Sequence, residues 1–403
     1  MDCPPGLYRH RSAAGRLPAG PRARSSDASI GGMGGPESQD DGGDSLLRFV
    51  DVHKDFGEGA TALRGMNLDI RAGEFLTLLG PSGGGKSTAL MMLAGFDTPT
   101  SGDIFYKGQS LADIPAHRRN FGVVFQTRAL FPHLTALQNV AYPLRMRGVS
   151  RTEATKRARE ALARVHLSPL VGRRPAKLAA GEQQRVALAR VMVFEPDVIV
   201  MDEPLAALDM DLAIRMEEEI RQLHESLGNT VVYATQDHSE AIALSHRIAI
   251  MNAGAVQQTG TPAALYEEPQ NTYTARFMGE TNILQGTVTS YDEPLCQVTL
   301  DTGEEVTATA ISVSGAGART RLSVRPERLI IDPDETQVPN RYKARVAGMD
   351  FRGDHTLLHL RLASGTHLEA KIPNNRVEEG FGSDDEIQIG WQARHCRALD
   401  PPG

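Results

Sequence analysis

Five short stretches of the chain are almost continuously apolar: FLTLL at 75–79, VVF at 123–125, VIVM at 198–201, TVVYA at 230–234 and IAIM at 248–251. Runs this short with no polar side suit strands buried on both faces of a sheet. The segments 46–52 (LLRFVDV) and 67–70 (NLDI) read as further strands. Between the strands, 151–165 and 211–227 carry their apolar positions at helical spacing. Alternating strand and helix predicts an α/β architecture with a mostly parallel sheet. From about residue 280 the helical spacing gives way to two-residue alternation. The stretches 296–306 and 358–370 each read strand, glycine turn, strand, and two related hairpin units predict a small β-barrel.

Residues 1–44 have no such pattern. Pro, Gly, Ser and Arg dominate, and GGMGGPESQDDGG at 31–43 has almost nothing to bury. Such a stretch cannot offset its own ordering entropy, so it is expected to be a disordered extension. Its Arg-rich, Ser-containing start is similar to a transit peptide, yet it lacks an apolar face and Asp27, Glu37 and Asp40 interrupt it. Met33 offers an alternative start.

Bulk composition narrows the function classes. A chain of 403 residues suits two or three domains, and 40% hydrophobic with 23% charged residues is ordinary for a soluble globular protein. The net charge of −7, with no basic block, argues against a nucleic-acid partner. Cys3, Cys296 and Cys396 are too far apart for a disulfide framework or a metal spacing, which favours a reducing cytosol. No run of about 18 apolar residues is present, so any membrane role comes through a partner.

The chemistry follows the strand ends. After 75–79 comes Gly80-Pro81-Ser82-Gly83-Gly84-Gly85-Lys86-Ser87, and the helical sequence starts with Thr88. Glycines let successive backbone N–H groups turn toward an anion, and a helix N-terminus adds its dipole. Lys86 is placed to reach the β- and γ-phosphates of a nucleotide and Ser87 to hold Mg²⁺, the arrangement of a phosphate loop. After 198–201 come Asp202 and Glu203. Two carboxylates at a buried strand's tip suit an Mg²⁺-orienting aspartate and a general base that polarises water.

In their order these motifs resemble the ABC transporter ATPases, over about 45–279, and the resemblance implies further roles. Gln126, before LFPHL at 130–134, resembles the Q-loop glutamine that touches Mg²⁺ or the water. The stretch 178–190 (LAAGEQQRVALAR) resembles the signature segment, Leu205 to Asp209 the D-loop, and Gln236 stands at the switch-histidine position. Phe56 sits where an aromatic ring stacks on adenine. In this family two ATPase domains pair head to tail, each ATP lying between one phosphate loop and the other's signature. The implied cofactors are ATP and Mg²⁺. The implied partners are transmembrane permease subunits, a second ATPase copy as homodimer, and a solute-binding protein met indirectly. The implied location is peripheral, on the cytoplasmic face of a bacterial inner membrane. Residues near 126–147 are expected to receive a permease helix, inside a helical subdomain at about 127–196.

Two departures bear on activity. Ala179 and Ala180 replace the signature serine and its glycine, and Glu182 replaces a glutamine, while Gly181 remains. Losing a hydroxyl hydrogen bond to a charged phosphate costs about 1.5–3 kcal/mol, or roughly ten- to hundredfold in affinity or rate. Gln236 can donate a hydrogen bond but does not titrate, and His238 is expected to be a surface residue at the next helix start. With Glu203 present, a slow or conditional ATPase is expected.

The region 280–403 is similar to the oligonucleotide/oligosaccharide-binding-like (TOBE) barrel appended to importer ATPases, on SVRPE at 323–327 and FMGETN at 277–282. No aromatic stripe points to nucleic acid. The segments 278–284 and 353–356 are most similar to spermidine/putrescine importer ATPases, with iron(III), sulfate, thiamine and sugar importers as alternatives. Two other classes stay open: a regulatory protein that binds ATP without turnover, and a soluble ABC protein acting on DNA or ribosomes. The single ATPase unit and the absence of a coiled coil speak against the last.

Overall fold

The computed structural model describes residues 45–57, 61–334, 338–374 and 381–399. The extension expected at 1–44 lies outside them.

The central sheet has six strands, in the order Ala255–Gly260, Arg247–Asn252, Phe75–Leu79, Thr230–Thr235, Val198–Asp202 and Gly122–Val124. All run parallel except the edge strand Ala255–Gly260. Residues alternate between its faces. Leu76, Leu78, Val200 and Val232 share one core with the helix Lys86–Ala94 and with a second, antiparallel sheet. Phe75, Ile199, Met201, Val231 and Tyr233 point into the other core, built from the helices Ala136–Met146, Arg151–Arg164, Ala180–Met192 and Met210–Leu227. The antiparallel sheet, ordered Thr61–Arg71, Ser45–Asp55, Ser101–Tyr106 and Gln109–Ser110, had only fragments of a signal in the sequence.

Helix ends explain themselves locally. Thr135 and Gln138 form a reciprocal capping box at the start of Ala136–Met146, and Ser150 accepts from the Glu153 N–H at the start of Arg151–Arg164. The end of the phosphate-loop helix Lys86–Ala94 is held by the buried Arg119. Its guanidinium donates to the carbonyls of Met92, Leu93, Leu111 and Ile114 at 2.7–2.8 Å. A cation at a helix C-terminus meets both the orphan carbonyls and the dipole.

The C-terminal region contains the expected small β-barrel, but only one of the two hairpins lies in it. The first hairpin, Leu295–Leu300 with Glu305–Ala310, belongs to a closed five-stranded barrel with Asn282–Asp292, Arg319–Val324 and Cys396–Leu399. The second hairpin, His355–Leu362 with His367–Pro373, lies in a five-stranded sheet with Asn340–Phe351, Glu386–Trp391 and Ile330–Ile331. Closure depends on Cys396–Leu399, which pairs with Glu305–Ala310 on one side and Arg319–Val324 on the other. Among the described residues the second sheet has no strand in that position. Both sheets nonetheless share one core, with Trp391 fully buried in it.

Arg325 ties this region to the α/β part. It donates to the carbonyls of Tyr266, Ala275, Gly279 and Glu280 at 2.8–3.3 Å, and its guanidinium lies 4.2 Å above the Tyr266 ring. The Tyr266 hydroxyl in turn donates to Glu327 at 2.5 Å.

Candidate nucleotide site

The sheet register brings three strand tips together. Leu79 pairs with Thr235, and Asp202 with Ala234, so Gly80, Glu203 and Gln236 leave the sheet as neighbours. Each strand is an apolar run that ends where its polar residue begins, which is why the chemistry collects on one edge.

The loop from Gly80 to Gly85 turns tightly, with the Gly84 N–H donating to the Pro81 carbonyl at 3.1 Å. A Cβ on Gly80 would meet the Met251 carbonyl oxygen at 2.2 Å. Gly85 sits at φ +94°, and a Cβ there would meet the Ala62 carbonyl oxygen at 2.5 Å. Neither position admits a side chain. Pro81, Ser82 and Gly83 are exposed, Thr88 half-buried. Lys86, only 4% exposed, donates to the carbonyls of Gly80 and Pro81 at 2.7 and 2.9 Å. Burial pulls its pKa down, opposed by the nearby Glu203 and Asp202 carboxylates.

Ser87 donates to Asp202 Oδ1 at 3.0 Å. Burial pushes the Asp202 carboxyl up, the Ser87 bond opposes this, and the neighbouring Glu203 adds to it. Asp202, whose ionisation is disfavoured by burial and by the adjacent Glu203 charge, forms with the Ser87 hydroxyl a hard-oxygen set that a divalent cation would stabilise. These residues therefore fit Mg²⁺.

Glu203 adopts a left-handed backbone, φ +42°, costly for a residue with a Cβ. Its N–H donates to the Ala234 carbonyl at 2.9 Å. Its carboxylate accepts from two amides: Gln236 Nε2 at 2.6 Å and Gln126 Nε2 at 3.3 Å. Gln126 and Gln236 are both exposed, so this clamp faces outward from the sheet edge.

Behind Gln236, the buried Glu240 accepts from the hydroxyls of Tyr233 and Thr235, both at 2.7 Å, and Thr235 accepts the Asp237 N–H at 3.0 Å. Burial raises the Glu240 pKa against those two hydrogen bonds. Sequence reasoning missed this residue, whose partners become neighbours only once strand and helix pack. His238 is corrected too. It does open the helix His238–Leu244, but it is half-buried rather than on the surface, its ring 4.6 Å from that of Phe277.

Other candidates stand apart from this cluster. Phe56 is 61% exposed, with Lys54 Nζ 5.0 Å from its ring centroid and held by Asp97 at 2.6 Å. Lys54 was not singled out from sequence. Asp209 caps the helix Met210–Leu227 by accepting the Leu212 N–H at 3.0 Å. Ala179 is exposed at the start of Ala180–Met192, and its N–H donates to Glu182 at 2.8 Å. Gly181 is buried, and a Cβ there would meet Leu212 at 2.8 Å. Among the described residues, 179–182 makes no hydrogen bond to the phosphate loop. The signature helix does touch the Q-loop: Arg190 donates to the carbonyls of Arg128 and Ala129, both left-handed at φ +60° and +44°.

Comparison with known proteins places this geometry. The ABC transporter family matches residues 63–206, and the TOBE domain family matches 322–399. The spermidine/putrescine import ATP-binding protein PotA of Rubrobacter xylanophilus is 40% identical over 90% of this chain and 96% of its own. Its counterpart in Nitrosospira multiformis is 40% identical over 86% and 97%. Among solved structures, cbiO1 of Clostridium perfringens, part of the ABC transporter complex cbiONQ, shares 29% identity over 56% of this chain and 92% of its own, with a TM-score of 0.52. A bacterial ABC transporter cassette solved as a dimer shares 34% over 54% and 98%, with a TM-score of 0.50. The chain belongs to the ABC transporter family, as a nucleotide-binding, importer-type ATPase subunit that carries a TOBE domain.

Proposed function

We propose that this subunit hydrolyses ATP to drive uptake of spermidine or putrescine. The observation that carries the catalytic part is the Glu203 carboxylate, held at the mouth of the phosphate loop by the amides of Gln126 and Gln236. A carboxylate oriented by two donors, on a strained backbone, is suited to take a proton from an attacking water.

The other residues take roles around it. The phosphate-loop residues Gly80 to Thr88 wrap the phosphates, with Lys86 turning from the loop carbonyls to the γ-phosphate, and Phe56 stacks on the base. Ser87, Asp202 and Gln126 would hold Mg²⁺, which supplies charge neutralisation for the phosphate oxygens. Gln236 replaces a titrating switch with a fixed donor, so it orients Glu203 but takes up no proton.

Among the described residues Ala179, Gly181 and Glu182 make no hydrogen bond to their own phosphate loop, and Gly181 leaves room only for Leu212, whose N–H is capped by Asp209. They meet nucleotide when a second copy docks head to tail. Without a hydroxyl at Ala179, and with its N–H engaged by Glu182, the signature offers fewer donors than a serine would. Slow basal turnover follows. The ATPase domain is taken as 45–279 and the barrel domain as 280–403. The assembly is a homodimer on permease subunits at the cytoplasmic face of the membrane, served by a solute-binding protein.

The polyamine reading rests on the two relatives' names and on their near-complete coverage. Uptake of labelled spermidine should disappear when the gene is deleted and return with the parent chain but not with Glu203→Gln. Unchanged spermidine uptake in the deletion strain would sink the polyamine assignment.

A further inference from the structure

A cleft of about 480 Å³ lies where the last helix of the ATPase part meets the barrel, lined by Thr272, Tyr273, Arg276, Phe277 and Arg321. Tyr273 and Phe277 stack nearly parallel, 12° apart with centroids at 5.5 Å. Two outward arginines stand on the barrel strand Arg319–Val324, and they differ. Arg319 is neutralised by Asp301. Arg321 has no carboxylate partner among the described residues, and its Nε is enclosed without a hydrogen bond. Arg276, exposed on the helix Thr272–Phe277 that lines the same cleft, likewise has no ion-pair partner among the described residues. An enclosed guanidinium donor left unpaired is costly, and two unneutralised guanidinium groups in one cleft repel each other. An anion between them removes both penalties and suits the planar, forked donor geometry of arginine.

We propose that this cleft is a binding site for a small organic anion, a phosphate or carboxylate joined to an apolar or planar body. Arg276 and Arg321 hold the charged group, and the Tyr273–Phe277 face receives the rest. The occupant bridges the ATPase part and the barrel. It also reaches toward the nucleotide site, because Phe277 packs on His238, two residues beyond the Gln236 that holds Glu203. Binding here is therefore expected to bias the position of the Gln236 segment.

The test uses phenyl phosphate as the probe, with benzoate and inorganic phosphate beside it, in calorimetric titrations of the full chain. Saturating ADP and Mg²⁺ occupy the nucleotide site throughout, so that the phosphate loop does not take the probe. Phenyl phosphate is expected to bind in the millimolar range or tighter, more tightly than inorganic phosphate, and benzoate binding separates a carboxylate from a phosphate preference. Arg321→Gln should weaken binding at least tenfold. Arg276→Gln, at an exposed position that folding tolerates, should do the same. ADP affinity measured in parallel stays at the parent value in both. No binding at 10-fold above that range, or equal binding by parent and both variants, overturns the proposal.

Discussion

Glu203→Gln is expected to lower ATP turnover by about 10²–10⁴-fold, the usual contribution of a positioned general base, while leaving ATP binding in place. The substitution keeps the shape of the side chain and its place at φ +42° after Asp202. What it removes is the proton acceptor. The two amides that now donate to Glu203 would face an amide oxygen on one side and an amide nitrogen on the other, so one of the two contacts is lost. It also removes a negative charge that helps hold the Asp202 carboxyl up and that draws the Lys86 ammonium. Asp202 therefore ionises more readily in the variant, and the cation site is not weakened. The variant should accumulate as an ATP-bound dimer on size-exclusion chromatography. Turnover above a tenth of the parent rate would assign the base elsewhere.

Lys86→Ala acts on the other half of the site. Its ammonium is buried in the phosphate loop and held by the Gly80 and Pro81 carbonyls, a position from which a small movement brings it to an anion. A hydrogen bond to a charged group is worth about 1.5–3 kcal/mol, so ATP affinity is expected to fall roughly ten- to hundredfold. Titration calorimetry with ATP reads this directly. Thermal stability should change little, because the loop glycines, not the lysine, set the turn. An ATP affinity within twofold of the parent would exclude Lys86 as a phosphate ligand.

The phosphate loop was legible because its glycines, lysine and serine are contiguous and follow an apolar strand. Asp202 and Glu203 were legible for the same reason: the buried run 198–201 ends in two carboxylates. The parallel sheet was legible because strands buried on both faces have no polar side. Contacts between distant segments were not. Nothing local links Gln126, Glu203 and Gln236, which meet because the neighbouring strands Gly122–Val124, Val198–Asp202 and Thr230–Thr235 end at nearly one level. Glu240 is an ordinary helix residue until Tyr233 and Thr235 pack against it. The strands 45–55 and 61–71 mix polar and apolar positions with bulges, which blurs a period of two. Closure of one C-terminal sheet and not the other turns on four residues near the end of the described chain, Cys396–Leu399. His238 lost its surface because the helix Thr272–Phe277 returns to cover it, a packing that no spacing rule foretells.

The departures at Ala179 and Gln236 make coupling the central question, since a site can bind nucleotide without driving anything. The decisive measurement is ATP hydrolysis by the chain reconstituted with its cognate membrane subunits, with and without a spermidine-loaded binding protein, beside the Glu203→Gln variant. Turnover that the membrane subunits and loaded binding protein stimulate, and that the variant abolishes, is the predicted result. ATP binding without turnover in either setting would contradict the account and make the chain a nucleotide-sensing subunit instead.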